Sequence, residues 1–270
     1  MSRYLGIHRE PVYSPGRVDD DGAILDQVAL HLRARGHEVT VCSGDPDTWP
    51  VPAPGAIVFT MCQGARALAQ FASWQARGVR IVNSPAAILN CQRHRTVAAL
   101  AGTNIPFPDT VLLDLHGPHP LPAWIALQGA WIKRGDVHAT EVGDVVHVDG
   151  VAAAEEVLRR LRARGIRQAA IQRHVPGVVV KFYAVRGRFF HCVPPDGPLS
   201  RASIAQVAAV GAAAAQRLQV EIYGGDAVVG LDDKTVLIDL NDWPSYASCR
   251  AEAAAEIAAY LHAQEVASET

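Results

Sequence analysis

The sequence predicts an α/β beginning that passes into an α+β remainder, and three observations carry that reading. Short β-branched runs alternate with helical stretches through the first eighty-odd residues. Hairpin-like strand pairs dominate from about residue 130, and Ala-rich helical segments lie between and after them. In order, Tyr4 to Ile7 reads as a short strand. Ile24, Val28 and Leu32 then recur at spacing four in a helix over 20–35, which Gly36 ends. Val39–Cys42 is the next strand, and 56–60 and 80–82 are buried strands around a helix at 65–77. Strands alternating with helices give a mostly parallel sheet, and ligands of such sheets sit beyond the carboxyl ends of the strands. The loop over 8–17, which follows the first strand, lies at that end.

Asn83-Ser84-Pro85 opens a further helix, with a capping residue followed by Pro at the first helical position. That helix is expected to run to about Ala101 and stop at Gly102. Proline punctuation follows at 105–108 and 117–122. Residues 130–173 read as a small β-rich unit with one helix at 151–164. Beyond it come a hairpin over 178–193, a helix over 201–218, a second hairpin over 225–241 and a closing helix over 249–264.

Composition narrows the function. With 270 residues, 49% of them hydrophobic, the chain can bury a sizeable core. A formal net charge of −2 argues against a nucleic-acid binder. The five cysteines are scattered singly, which reads as reduced thiols in a cytoplasm. The start of the chain has no apolar signal segment and no membrane-length apolar run follows, so a cytoplasmic protein without a membrane partner is expected. Lysine is scarce, only Lys133, Lys181 and Lys234, so each one is informative.

The sharpest local pattern lies over 225–241. Asp232-Asp233 is the natural turn, and a hairpin centred there sets Asp226 directly opposite Asp239. Like charges so placed are destabilising. Period-two alternation puts Leu237, Asp239 and Asn241 on one face and Val236, Ile238 and Leu240 on the other. Two carboxylates and one amide oxygen then converge, an oxygen set suited to a hard cation such as magnesium held together with substrate phosphates. The plainer reading is an Asp226 merely near a strand end and an Asp239 paired with an arginine from elsewhere.

Asp226 with Asp239-Leu-Asn241-Asp-Trp-Pro244 resembles the magnesium-binding end of ATP-grasp proteins. Asn83-Ser-Pro-Ala-Ala-Ile88 resembles the helix opening of RimK-type ligases, and Trp131-Ile-Lys133 the strand with the nucleotide-binding lysine. Ile171-Gln172-Arg173-His174-Val175 resembles the adenine hinge, and Val180-Lys181-Phe-Tyr the strand with a second phosphate-binding cation. These blocks stand in the family's order over roughly 80–250. The resemblance implies an ATP-grasp fold with an N-terminal parallel α/β subdomain over 1–83 on the substrate side. A nucleotide-binding region over 84–270 follows, with a small β-rich part at about 126–173 and a metal-binding part at about 174–270. It implies ATP and magnesium as cofactors. Lys133, Lys181, Gln172, Arg173, His174 and Val175 would meet the nucleotide, and Asp226, Asp239 and Asn241 the metal.

Departures from the family pattern are visible. The lysine usual in the helix after Asn-Ser-Pro is replaced within Arg93-His94-Arg95, so one of Arg93 and Arg95 is expected at the nucleotide. The glycine-rich lid reads Arg134-Gly135-Asp136-Val-His138-Ala-Thr140, with one glycine. Arg173 stands where a ribose-binding acid is expected, and Ser245 where a glycine often follows the Asn-x-x-Pro turn. ATP-grasp proteins mostly activate a carboxylate as an acyl phosphate and pass it to an amine, which needs positioning and charge stabilisation. Arg9, Arg17 and Arg250 are the candidate substrate cations, with His8, Tyr13 and Ser14 beside them; solvated loop arginines are the plainer reading. The alternative is a kinase, since Gly177-Val-Val-Val-Lys181-Phe-Tyr also looks like inositol-polyphosphate kinases of this fold. A lysine-free N-terminal region with Asp19, Asp20 and Asp21 speaks for the ligase. Dimers are common among such proteins, so a homodimer is an open expectation.

Overall fold

The computed structural model describes residues 4–135, 141, 143–193, 197 and 199–268, the side chains of 265–268 excepted. Three four-stranded sheets organise it. The first is parallel, in the order β2-β1-β3-β4, from β1 (Tyr4–Ile7), β2 (Val39–Cys42), β3 (Ile57–Thr60) and β4 (Arg80–Val82). Its helices are α1 (Val18–Ala34) and α2 (Ala65–Gln75). Asp19, Asp20 and Asp21 in the first turn of α1 meet the positive end of its dipole. Its stripe Ile24, Leu25, Val28, Ala29 and Leu32 is wholly buried.

The expected single helix after Asn83 is two. Ser84 caps α3 (Pro85–Asn90), its hydroxyl accepting from Ala87 N at 3.2 Å. Gln92 then takes an extended conformation and starts α4 (Arg93–Leu100). The break turns Arg93 and His94 toward the carbonyls of Arg134 and Gly135. Tertiary contacts thus override a continuous helical pattern.

The second sheet is antiparallel, β5-β8-β6-β7, from β5 (Thr110–Asp114), β6 (Ala130–Arg134), β7 (Val145–Val148) and β8 (Gln168–Arg173). Its helices are the short α5 (Ile125–Gln128) and α6 (Val151–Ala163). Strand β5 lies between the two proline stretches and helix α5 just after them, where the sequence reading places no element.

The third sheet, β10-β9-β11-β12, joins the two expected hairpins, β9 (Val178–Val185) with β10 (Phe189–Val193) and β11 (Ile222–Val229) with β12 (Thr235–Asp242). Helix α7 (Arg201–Leu218) covers one face, sharing a core with Val180, Phe182, Leu237 and Leu240. A Cβ on Gly211 of α7 would stand 2.9 Å from the Phe182 ring, so glycine permits the close approach. The other face is covered only in part. Helix α8 (Arg250–Ser268) packs there with α1, Tyr183 and Val185, and the remainder faces a cleft. Among the described residues no helix is long and apolar enough to cross a membrane.

Candidate functional site

The β11–β12 register sets Asp226 directly opposite Asp239. On its other side Asp226 stands opposite Lys181 of β9, whose ammonium is 2.9 Å from Asp226 Oδ1. Arg93 Nη2 lies 3.5 Å from Asp239 Oδ2. Each carboxylate thus has a cation beside it, which offsets the repulsion of the opposed pair. Asn241 follows Asp239 by two residues, in the next row opposite Gly224. Two carboxylates and an amide oxygen are the donor set of a hard cation that also takes phosphate oxygens, so the residues present fit magnesium. Among the described residues no group of three His, Cys, Asp or Glu could hold a metal.

The simple alternation expected for β12 is corrected by a bulge. Pairing moves from Asp226–Asp239 directly to Ala227–Leu237, leaving Ile238 without a partner in β11. One extra residue reverses the faces beyond it. Leu237 is therefore buried with Leu240 against α7, whereas Ile238 and Asp239 both line the cleft. The Ile238 carbonyl accepts from Lys133 Nζ at 3.2 Å and Gln172 Nε2 at 3.4 Å.

Between this hairpin and the second sheet lies a cavity of about 280 Å³, lined by Arg93, Trp131, Lys133, Gln172, Asp226 and Asp239 among others. Lys133 is buried, and desolvation pushes its pKa down to about 8 against the opposing pull of Asp239. Burial also works against the Lys181 ammonium, but Asp226 outweighs it and the pKa is raised. Arg93 is brought to the cavity, its Nη1 donating to Arg134 O at 2.7 Å. Arg95 is exposed and is not among the lining residues, because α4 turns it about 200° away from Arg93.

The hinge differs from expectation in part. Gln172, Arg173 and Val175 line the cavity. His174 instead accepts from Trp131 Nε1 at 3.2 Å and packs its ring 5.1 Å from that of His147. The N–H groups of Arg173 and His174 donate to Asp109 O and Gly129 O, so these two amides serve the fold and are not open to a base. The Arg173 guanidinium lies 5.1 Å over Trp124 and 2.9 Å from Asp109. Of the lid segment, Asp136, His138 and Thr140 with their intervening residues lie outside the described residues.

The three candidate substrate arginines part company, Arg9 and Arg17 after β1 and Arg250 at the start of α8. Arg9 donates from Nε to Met61 O at 2.9 Å, from Nη1 to Asp21 at 3.0 Å and from Nη2 to Trp243 O at 2.8 Å. Its expected role toward a substrate is corrected to a tie between β3, α1 and the end of β12, because all three guanidinium nitrogens are engaged. Arg250 pairs with Asp20. Arg17 is exposed at the start of α1 and forms no ion pair among the described residues. His8 meets Asp26 at 3.1 Å, and Ser14 donates to Asp21 at 2.6 Å. Tyr13 packs near Gly64.

The sequence reading missed several contributors. Glu10 accepts from the amides of Gln63 and Gly64 just before α2. Gln63 Nε2 donates to Asp242 Oδ1 at 3.0 Å, and burial pushes the Asp242 carboxyl up to about 6. No pattern in the sequence marks these long-range pairs, nor the Ile238 carbonyl that the bulge frees.

No protein-family model matches the sequence, and a search of curated proteins finds none similar. Solved structures are similar across nearly the whole chain. D-alanine–D-alanine ligase from Bacillus anthracis, complexed with ATP, has a TM-score of 0.75 at 10% identity, covering 98% of each chain. The ATP-grasp ligase PsnB with precursor peptide PsnA2 and AMPPNP has a TM-score of 0.70 at 17% identity, over 98% of this chain and 97% of that one. The RimK domain protein ATP-grasp from Sphaerobacter thermophilus has a TM-score of 0.67 at 19% identity, over 96% of this chain and 99% of that one.

Proposed function

We propose, from the ATP-grasp fold that this chain has, that it is an ATP- and magnesium-dependent ligase activating a small carboxylate and joining it to an amine. One observation carries the reading. The opposed Asp226 and Asp239 open onto a cavity that also receives Lys133 and Arg93, with Lys181 paired to Asp226. Anion-binding cations and a cation-binding carboxylate pair on one cavity are what a nucleoside triphosphate with its metal requires.

In this reading Asp226, Asp239 and Asn241 hold magnesium, which when bound neutralises charge on the phosphate oxygens. Lys133, fixed by the Ile238 carbonyl, and Lys181, held by Asp226, hold the phosphates in line. Arg93 bridges the metal side to the second sheet. The substrate carboxylate bonds to the γ-phosphorus while the bond from that phosphorus to the β,γ-bridging oxygen breaks, and ADP leaves. The amine then bonds to the acyl carbon, phosphate departs and the amine proton passes to solvent. No protein nucleophile is needed. The buried Cys62 and Cys91 thiols, both pushed up by burial, are inert in any case.

The test is ADP release with hydroxylamine in place of the amine, across pools of amino acids, small acids and inositol phosphates. A ligase yields a hydroxamate with one class of acid. A stable phosphate ester, unaffected by hydroxylamine, establishes the kinase instead.

A further inference from the structure

Along one face of β9 stand Val185, Tyr183, Lys181 and Val179. Exposure rises from 1% at Val185 and 7% at Tyr183 to 48% at Val179, with the Lys181 side chain half-exposed. Tyr183 is therefore where the buried part of the face, shared with α8, gives way to the cleft. Its ring is held from two sides. The Tyr246 ring lies 5.2 Å away, and Gly224, its neighbour in β11, leaves room for it. A Cβ there would stand 3.2 Å from Tyr183 Cδ1 and 2.8 Å from Pro244 Cγ.

The hydroxyl is treated differently from the ring. Tyr246, wholly buried, donates its hydroxyl to Ala184 O at 2.7 Å. The Tyr183 hydroxyl has no hydrogen-bond partner among the described residues and is not one of the buried unpartnered atoms, so it is open to a ligand. The charged groups around it are Lys181, Arg17 and Asp226, with the Cys249 thiol. Arg17, from the loop after β1, is exposed and without an ion pair among the described residues. A rigid donor thus stands one row, about 7 Å, along the sheet from Lys181, Asp226 and Asp239, and the unpaired Arg17 of a separate element is near enough to act on it electrostatically.

We propose that the Tyr183 hydroxyl and the Arg17 guanidinium together bind the carboxylate to be activated, so that Tyr183 is a substrate-positioning residue selecting a small carboxylic acid. A carboxylate offers two oxygens, one for a neutral O–H donor and both for a guanidinium. Tyr183 donates to the oxygen that stays a carbonyl, and the other is left to bond to the γ-phosphorus; the phenol keeps its proton. A polyphosphate acceptor would instead meet Asp19 and Asp20 beside Arg17.

The inference rests on the ligase reading, and the test separates the two. With the acid that gives most hydroxamate, Tyr183→Phe and Arg17→Ala each raise the acid KM by about tenfold, the effect of one lost charge-assisted bond. ATP affinity by calorimetry stays within about twofold, and the double variant adds little to either single one because both act on one group. An unaltered acid KM in a folded Tyr183→Phe protein overturns the inference alone. So does a parallel loss of ATP affinity, which marks a structural role. If Tyr183→Phe does not fold, an unaltered acid KM in Arg17→Ala overturns it. No hydroxamate from the wild type with any acid overturns the ligase reading and this inference with it.

Discussion

Around the β11–β12 hairpin the charged side chains line a cavity that Lys133 enters without a carboxylate partner among the described residues, whereas beside the loop after β1 the cavity of about 580 Å³ is lined by His8 and Arg9 already paired with Asp26 and Asp21. Lys133, Arg93, Asp226 and Asp239 all line one space. Arg9 and Asp21, at 11% and 5% side-chain exposure, are a buried pair whose remaining donors reach main-chain carbonyls. The difference separates two uses of buried charge. A cluster left facing a cavity, even with Asp226 and Asp239 each beside a cation, keeps part of its desolvation cost until a charged ligand arrives. A cluster closed on itself holds elements together and has little left to bind. Reading arginine in a ligand-side loop as a substrate contact misses this distinction, because residue type alone does not say whether a partner is already present.

The comparison breaks most visibly at β11 and β12. Asp239→Ala and Asn241→Ala are expected to lower magnesium-dependent ADP formation by more than about a hundredfold, with melting little changed. ADP release near the wild-type rate in either variant removes the cation reading. Arg9→Ala should act in the opposite sense. It leaves Asp21 buried without its cation and costs about 3–5 kcal/mol of stability, read by urea denaturation. A stable Arg9→Ala protein that loses only its response to the acid substrate would return Arg9 to the binding set.

Two further substitutions sharpen the cavity side. Lys133→Met and Lys181→Met should weaken ATP binding by about 1–3 kcal/mol each, as for a lost charge-assisted hydrogen bond. Calorimetry with both affinities unchanged would move the phosphates elsewhere. Arg93→Ala should cost about 1–2 kcal/mol of ATP affinity and Arg95→Ala less than about 0.5; equal losses would contradict the placement of Arg93 alone on the cavity.

The smallest expected effect is a proton. The free Lys133 pKa of about 8 lies below that of an ordinary lysine because of burial. Phosphates favour the ammonium and raise its pKa in the complex. Above pH 8 binding therefore takes up a proton, and ATP affinity falls as pH rises, by at most about tenfold per unit. Calorimetry at pH 8.5 in buffers of different ionisation heat should show the uptake in the wild type and lose it in Lys133→Met.

How far this was legible in the sequence depends on range. Local pattern gave α7 over its full length and the facing of Asp226 with Asp239, because a polar turn and period-two runs lie within twenty residues of each other. It did not give the Ile238 bulge, which needs no glycine and shows only in the register with β11. Nor did it give the break between α3 and α4, where the side chains of Arg93 and His94 reach across to β6. The choice between Arg93 and Arg95 followed from that same break. Arg9 could be assigned only once Trp243, more than two hundred residues away, was seen to accept from it.

The packing of α8 on α1 has a consequence for how the molecule is made. The stripe of α1 from Ile24 to Leu32 is covered by Ala253, Ala254, Ile257, Ala258 and Leu261, the three alanines letting the two helices lie close. A ribosome finishes the first parallel sheet early in synthesis, yet the residues that seal α1 emerge more than two hundred residues after that helix. Throughout that interval a nascent chain displays a row of aliphatic side chains to its surroundings, a surface that chaperones and neighbouring nascent chains recognise. Helix α8 is the element that ends the first unit's exposure.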